Sequence, residues 1–301
     1  MSPSRKTGTK PVLRWFLVAV FGLVMLLEAG ACTWRKPKPI PSAEDLYAEA
    51  MALYQGKPNW LAKRFPGLKN RYEDSWAGPI FQHRNYARAI ESFQEVIYNY
   101  PFSKYAILSE LRIADCHFGM GGVEEYEIAI QCYEDFIRLH PVHEEVAYAT
   151  YRLGLCYYHQ RLKAGRDQSE TEMAMVQFQI LLSRYPESSY AEDTRAKIRD
   201  CEERLARHNF LVARFYEKQN NYWAASNRFE KIWRNYPESG HAEESLFRQA
   251  ECYDRLSRRE EAILFYEQFI SRFPESAFCK MALSRKSALE RKDRDDKTIH
   301  D

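Results

Sequence analysis

The residues best placed to do chemistry in this 301-residue sequence are few. His140-Pro141-Val142-His143-Glu144-Glu145 gathers two imidazoles and two carboxylates, a donor set that could hold a divalent metal. Its spacing argues otherwise. A helical zinc site needs His-Glu-x-x-His, with both imidazoles one turn apart on one face, and Pro141 interrupts the helix that would supply that register. The run reads as a turn between helices. Seven cysteines offer thiols, but no Cys or His spacing of the zinc type occurs. Cys116, Cys156 and Cys252 each fall two residues after a small residue (Ala114, Gly154, Ala250), which marks a recurring half-buried packing position. Equivalent positions in successive repeats are too far apart for a disulfide, which needs Cα atoms within about 7 Å. Cys116 and Cys132 are the one pair on facing helices of a hairpin. No Gly-x-Ser-x-Gly, phosphate loop or dinucleotide fingerprint appears, so no catalytic residue, metal or cofactor is expected.

The elements that would position any functional surface come from a repeat. Five segments carry an Ala twelve residues and an aromatic eight residues before a Pro: Ala89/Phe93/Pro101, Ala129/Tyr133/Pro141, Ala174/Phe178/Pro186, Ala225/Phe229/Pro237 and Ala262/Tyr266/Pro274. A small residue and a ring four apart share one helix face, so a neighbouring helix can approach at the Ala and pack on the ring. The Pro then ends the helix. Each segment is preceded by a second helical stretch marked by Ala50/Leu53, Ala114/His117, Gly154/Tyr157, Ala213/Tyr216 and Ala250/Tyr253. These spacings match the tetratricopeptide signature and predict an all-α solenoid of about five helical hairpins. A Pro/Gly/aromatic insertion, residues 56–80, separates the two helices of the first hairpin.

In tetratricopeptide folds the first helix of each hairpin lines a groove, through positions three before, one after and four after the small residue. Here those are Tyr47, Met51 and Tyr54; Leu111, Asp115 and Phe118; Tyr151, Leu155 and Tyr158; Phe210, Arg214 and Glu217; and Phe247, Glu251 and Asp254. The expected groove is apolar and aromatic over the first three hairpins (Tyr47, Met51, Tyr54, Leu111, Phe118, Tyr151, Leu155, Tyr158) and charged over the last two (Arg214, Glu217, Glu251, Asp254). An apolar strip with polar handles suits a docked peptide.

The N-terminus bears on compartment. Arg5, Lys6, Lys10 and Arg14 precede an apolar run from Trp15 to Leu27, too short for a bilayer-spanning helix of about 20 residues. Ala29-Gly30-Ala31-Cys32 follows, and small residues directly before a Cys resemble a bacterial lipoprotein signal in which Cys32 becomes the lipidated first residue of the mature chain. An ordinary signal peptide or an uncleaved anchor are the other readings. Thr33 follows the Cys in place of Asp, which in such lipoproteins favours the outer membrane. The expected organisation is a signal peptide over 1–31, a lipidated Cys and Pro-rich linker over 32–42, the solenoid over 43–290, and a disordered charged tail over 291–301. The formal charge of +2 comes from the signal segment, and the mature chain carries 40 Lys and Arg against 41 Asp and Glu. That near-neutrality excludes the basic excess of a nucleic-acid binder.

A lipid-anchored chain of five such hairpins resembles the BamD family of outer-membrane β-barrel assembly lipoproteins. The likeness covers essentially the whole mature chain and is most specific in NYPFSKYAILSELRIADCHF, FIRLHPVHEEVAYATYRLGL and CEERLARHNFLVARFYEKQNNYWAASNRFEKIWRNYPES. The resemblance implies a non-enzymatic scaffold whose C-terminal repeats dock on the POTRA domains of the barrel-forming subunit and whose N-terminal repeats meet unfolded outer-membrane proteins. It also implies that Arg228, in the Asn227-Arg228 pair, lies on the docking face. The insertion and the six additional cysteines depart from the family. Repeats alone leave open a different periplasmic tetratricopeptide lipoprotein, serving pilus assembly or envelope division, and an enzyme built from scattered repeat positions.

If Cys32 carries the lipid, Cys32→Ser yields a soluble periplasmic form or an unprocessed precursor. Metabolic labelling with a fatty-acid analogue checks this, and a mutant that still takes the label refutes the assignment.

Overall fold

The computed structural model describes residues 41–56 and 78–300. The signal segment, Cys32, most of the linker and residues 57–77 of the insertion lie outside the described residues. Eleven helices occur among the described residues: α1 (Ala43–Tyr54), α2 (Gly78–Asn99), α3 (Lys104–Met120), α4 (Val123–Leu139), α5 (Val146–Gln160), α6 (Ser169–Arg184), α7 (Ala191–Lys218), α8 (Tyr222–Asn235), α9 (Ala242–Arg255), α10 (Arg259–Arg272) and α11 (Cys279–His300). Each helix packs on the helices before and after it in sequence, the arrangement of a repeat solenoid. The pairs α1/α2 through α9/α10 are the five hairpins, and α11 covers the open side of the last.

The repeat residues sit where their chemistry requires. Ala50, Ala89, Ala114, Ala129, Ala174, Ala213, Ala225, Ala250 and Ala262 are all wholly buried, as are the rings Phe93, Tyr133, Phe178, Phe229 and Tyr266. Small side chains at the crossings let backbones approach, and the ring one turn on fills the space that the approach creates. Five corners then reuse one turn. His140, Tyr185, Tyr236 and Phe273 end their helices with φ between −126° and −134° and ψ between 54° and 61°, because the Pro that follows each disfavours helical backbone. The chain closes the turn with a backbone bond to the carbonyl three residues back: Ser103 to Tyr100 (3.0 Å), His143 to His140 (3.0 Å), Ser188 to Tyr185, Ser239 to Tyr236 and Ser276 to Phe273 (each 3.1 Å).

One difference from the sequence reading has a physical cause. Helix α11 continues to His300 and so crosses the stretch assigned to a disordered tail; no Gly or Pro interrupts residues 279–300. Helix α7 is the long helix read through CEERLARHNFLVARFYEK; it is 28 residues long and begins well before the Ala213/Tyr216 marker. Its early turns bury Cys201, Leu205 and Ala206, which belong to the core clusters of the third and fourth hairpins.

Gly154 tests the crossing rule most sharply. A Cβ there would lie 2.5 Å from a ring carbon of Phe178, and that ring is wholly buried. Helix propensity favours Ala over Gly by about 0.8–1 kcal/mol, whereas overpacking a core costs about 1–3 kcal/mol. Gly154→Ala is therefore expected to lower the urea midpoint with an unchanged slope. A raised midpoint would show that Phe178 yields and that the approach is not limiting.

Candidate functional site

The face built by the first helices, α3, α5, α7 and α9, is stitched by polar contacts from one helix to the next. At its centre Asp115 of α3 is 1% exposed. Its carboxylate accepts from Arg112 (2.6 Å), from the Tyr133 hydroxyl (2.6 Å) and from the Tyr148 hydroxyl (2.8 Å), and Arg152 Nε stands 3.4 Å away. Arg152 also donates to the Tyr133 oxygen and lies over the Phe118 ring at 3.8 Å. Glu145 approaches Arg112 at 3.6 Å. Two guanidiniums thus meet two carboxylates, and the cluster neutralises itself. Burial works to lower the pKa of both guanidiniums, but the acidic and hydrogen-bonding groups around them outweigh it and the net direction is upward: Asp115 foremost for Arg112, the Tyr133 and Tyr148 hydroxyls ahead of Asp115 for Arg152. Burial, and then the Asp115 charge, push the Tyr54 phenol up to about 12.

The next rung joins α5 to α7. Tyr151 donates to Asp193 and Tyr158 to Asp200 (2.9 Å), each pair seven residues from the other along its helix, so two turns of α5 are pinned to two turns of α7. Arg161 pairs with Asp200 and lies 3.2 Å from the centre of the Tyr158 ring. Tyr151 stacks on Tyr190 with centroids 5.0 Å apart.

Beyond α7 the face becomes an ion-pair ladder. Arg214 meets Glu217 at 2.7 Å; Arg248 reaches Glu244 at 2.6 Å, Glu217 at 3.8 Å and Glu251 at 3.9 Å; Arg285 of α11 reaches Glu251 at 3.4 Å and Asp254 at 3.5 Å.

Against the sequence expectations this geometry makes three distinctions. Tyr47, Met51, Tyr54, Phe118, Tyr151 and Tyr158 are half-buried at the groove positions of α1, α3 and α5. Leu111 and Leu155 do not line it: Leu111 is wholly buried and Leu155 is 9% exposed. Leu111 packs with Ala129, Tyr133 and Phe136, and Leu155 with Ala174 and Phe178, because at those points the first helix turns inward against its own partner. Arg214, Glu217, Glu251 and Asp254 come together in the ladder. Asn227 and Arg228 do not join them. They sit on α8, a second helix, where Asn227 is exposed and Arg228 donates to Asn209 at 3.1 Å beside a polar cavity of about 120 Å³ lined also by Asp167, Glu172, His208 and Lys231. Sequence reasoning placed Asp115 at a groove position but missed its hub, whose members Tyr133, Tyr148 and Arg152 lie on two other helices.

The other chemical candidates have structural partners. His140 pairs with Glu110 at 2.7 Å, and His143 accepts from the Glu145 amide at 3.1 Å. Among the described residues no three His, Cys, Asp or Glu side chains converge as metal ligands. All six described cysteines are unpaired, Cys116 and Cys132 included. Burial pushes the Cys116, Cys156 and Cys252 thiols up to about 12 and Cys201 to about 11, so at neutral pH they stay protonated and poorly nucleophilic.

Asp115→Ala leaves two part-buried guanidiniums and two hydroxyls without their shared acceptor. Breaking a buried ion cluster at one partner costs about 3–5 kcal/mol, whereas Tyr148→Phe removes a single hydrogen bond, about 1–3 kcal/mol because one end is charged. Urea unfolding should therefore rank Asp115→Ala well below Tyr148→Phe; equal losses would show that the charge is solvated.

A family model described as "Outer membrane lipoprotein" (YfiO) matches residues 76–263. The outer membrane protein assembly factor BamD of Rickettsia prowazekii (strain Madrid E) is 30% identical over 203 residues, covering 67% of this chain and 80% of the relative. BamD of Caulobacter vibrioides is 33% identical over 178 residues, covering 59% of this chain and 57% of that one. BamD of Neisseria meningitidis serogroup A is 30% identical over 204 residues, covering 64% and 75%. With the hairpins and corners in place across the matched region, these likenesses establish that the chain belongs to the BamD-type family of outer-membrane assembly lipoproteins.

Proposed function

We propose that this chain is a non-enzymatic, lipid-anchored scaffold at the periplasmic face of the outer membrane, holding β-barrel clients and the barrel-assembling subunit in one complex. One observation carries the finer reading: the first-helix face divides into two chemistries. Over α1, α3 and α5 it presents half-buried rings, and over α7 and α9 it presents paired charges. Rings with one edge exposed bury area at little conformational cost, which suits an extended client segment ending in aromatic residues. Tyr47, Met51, Tyr54, Phe118, Tyr151 and Tyr158 are the proposed client contacts.

The charged units are the proposed dock for POTRA domains, with Arg228 and Asn227 on α8 and with Arg214, Glu217, Glu251 and Asp254 on the ladder. These two groups lie on different helices, so a single flat contact does not reach both; Arg228 and Asn227, unshared with the ladder, are the stronger docking candidates. Cys32 is the proposed lipidation site, with residues 1–31 removed as a signal and the linker tethering the solenoid. Family membership supports the scaffold role and the outer-membrane setting, and the near-neutral mature chain fits a protein-binding rather than a nucleic-acid-binding surface.

The two surfaces should respond to different mutations. Arg228→Glu reverses a docking charge, and breaking a desolvated interfacial pair costs about 2–5 kcal/mol. Tyr151→Ala with Tyr158→Ala removes two ring contacts, about 2 kcal/mol or more each where a ring is an anchor. Because both hydroxyls also bond to α7, the Phe pair at the same positions separates ring contact from helix pinning. Titrations of purified protein with a POTRA fragment and with a C-terminal outer-membrane-protein peptide should show each mutant losing one partner only. Loss of both partners by both folded mutants would defeat the divided face, and a wild type that binds neither would shift the assignment to another periplasmic scaffold.

A further inference from the structure

The residue after each corner proline changes character along the chain: Phe102, Val142, Glu187, Glu238 and Glu275. All five are exposed. Phe102 and Val142 are 102% and 98% exposed, and beside them Tyr98 is 85% and Leu139 56% exposed. A single exposed apolar side chain needs no explanation. Four large ones concentrated on two successive corners do. Neither corner is unfinished core, since both turns are closed by the same backbone bond as the others, and Ser103 caps α3 by accepting from the Ala106 amide at 3.1 Å. The three later corners make the same turn with glutamate at this position, so folding does not demand an apolar residue there.

These corners stand where the chain enters the solenoid. Tyr47, near the start of α1, lies 5.4 Å from Tyr105 between ring centroids, and Tyr105 is in the first turn of α3, three residues after Phe102. The first turns of α1, where the solenoid begins, therefore lie beside the Phe102 corner. Residues 33–42 follow Cys32, and ten residues extend at most about 35 Å.

We infer that the first two corners form a membrane-contact edge, with Phe102, Val142, Tyr98 and Leu139 seated at the headgroup–acyl boundary of the bilayer that holds the lipid anchor. The inference rests on the reading of Cys32 as the lipidated residue, which places this edge within tether reach of the lipid. Aromatic and aliphatic side chains on a tethered surface partition shallowly, and a short tether raises their local concentration at the bilayer. Lys104, exposed next to the Phe102 corner, supplies a cation for anionic headgroups. Glu144, exposed beside Val142, keeps that corner at headgroup depth. The acidic corners Glu187, Glu238 and Glu275 stay solvated. Contact is thus confined to the first two hairpins and leans the later units away from the bilayer, toward the periplasm.

The test uses the mature, lipidated chain in vesicles of phosphatidylethanolamine and phosphatidylglycerol. An environment-sensitive fluorophore is attached at Phe102→Cys and, as the control at the same repeat position, at Glu238→Cys; wild type labelled in parallel subtracts any reaction of native thiols. Lipids brominated in the acyl chain should quench the label at 102 by about twofold or more and leave that at 238 unchanged, as shallow insertion requires. No quenching at 102, or equal quenching at both, overturns the proposal. A second measurement does not depend on the lipid. In vesicle flotation of the mature chain from residue 32 carrying Cys32→Ser, which lacks both the lipid and the apolar signal segment, the weak residual binding should fall about tenfold in Phe102→Asp with Val142→Asp while Phe102→Leu retains it, with thermal unfolding unchanged because both side chains are exposed. An Asp pair that floats as well as its parent overturns the edge; if that pair instead loses the barrel-assembling subunit, the corners are a protein interface and the bilayer proposal falls. Failure of the Cys32 reading is separately visible as absent fatty-acid labelling.

Discussion

Everything in this solenoid depends on how closely two helices can cross. Each hairpin places an alanine or glycine at the crossing and a ring one turn on in its second helix, and those positions are sealed from solvent in all five described hairpins. A larger side chain at a crossing would push the backbones apart and open the space that the ring fills, and each ring in turn supports the helix of the following hairpin. The interaction is short-ranged dispersion and apolar burial, so it is strong within a hairpin and between immediate neighbours and absent beyond them. Stability accumulates one unit at a time, and no single core integrates the molecule.

Apolar packing of this kind sets distance but gives little direction, and direction comes from the polar rungs on the first-helix face. Asp115 is the costly one. Removing a carboxylate from water is unfavourable, and a buried ion cluster is weak evidence of added stability. What Asp115 does is bind groups from three helices, Arg112 on α3, Tyr133 on α4 and Tyr148 with Arg152 on α5, in a geometry that tolerates no sliding of α3 against α5. Tyr151 and Tyr158 perform the same task one rung on, at lower cost because their aspartate partners are exposed. The rings offered to a client are thereby held at fixed angles before anything binds, which reduces the ordering cost of association.

Much of this was legible in the sequence because its determinants are local. The Ala, ring and Pro of each segment lie within one helix, and their recurrence located the hairpins and corners. Residues 111 and 155 were misread for the opposite reason. Whether a leucine three before or one after the small residue faces a groove or the partner helix depends on the local crossing, and both leucines turned inward. The Asp115 hub was out of reach because its members are 3 to 37 residues away and their meeting depends on the stacking of successive units. Arg228 and the ladder looked like one charged end in the sequence, yet alternate helices of a hairpin carry them, and only the packing assigns each to its own surface.

Within a hairpin the contacts are mostly apolar and little affected by salt, whereas between first helices at the C-terminal end they are ion pairs near the surface. Arg248 has three carboxylates within 4 Å and Arg285 has two. Pairs this close to the surface contribute little net energy each and weaken as salt screens them, whereas apolar burial carries no such dependence. The cohesion of α7, α9 and α11 along this face is therefore the part of the solenoid that ionic strength tunes, while the apolar packing of each hairpin is left untouched.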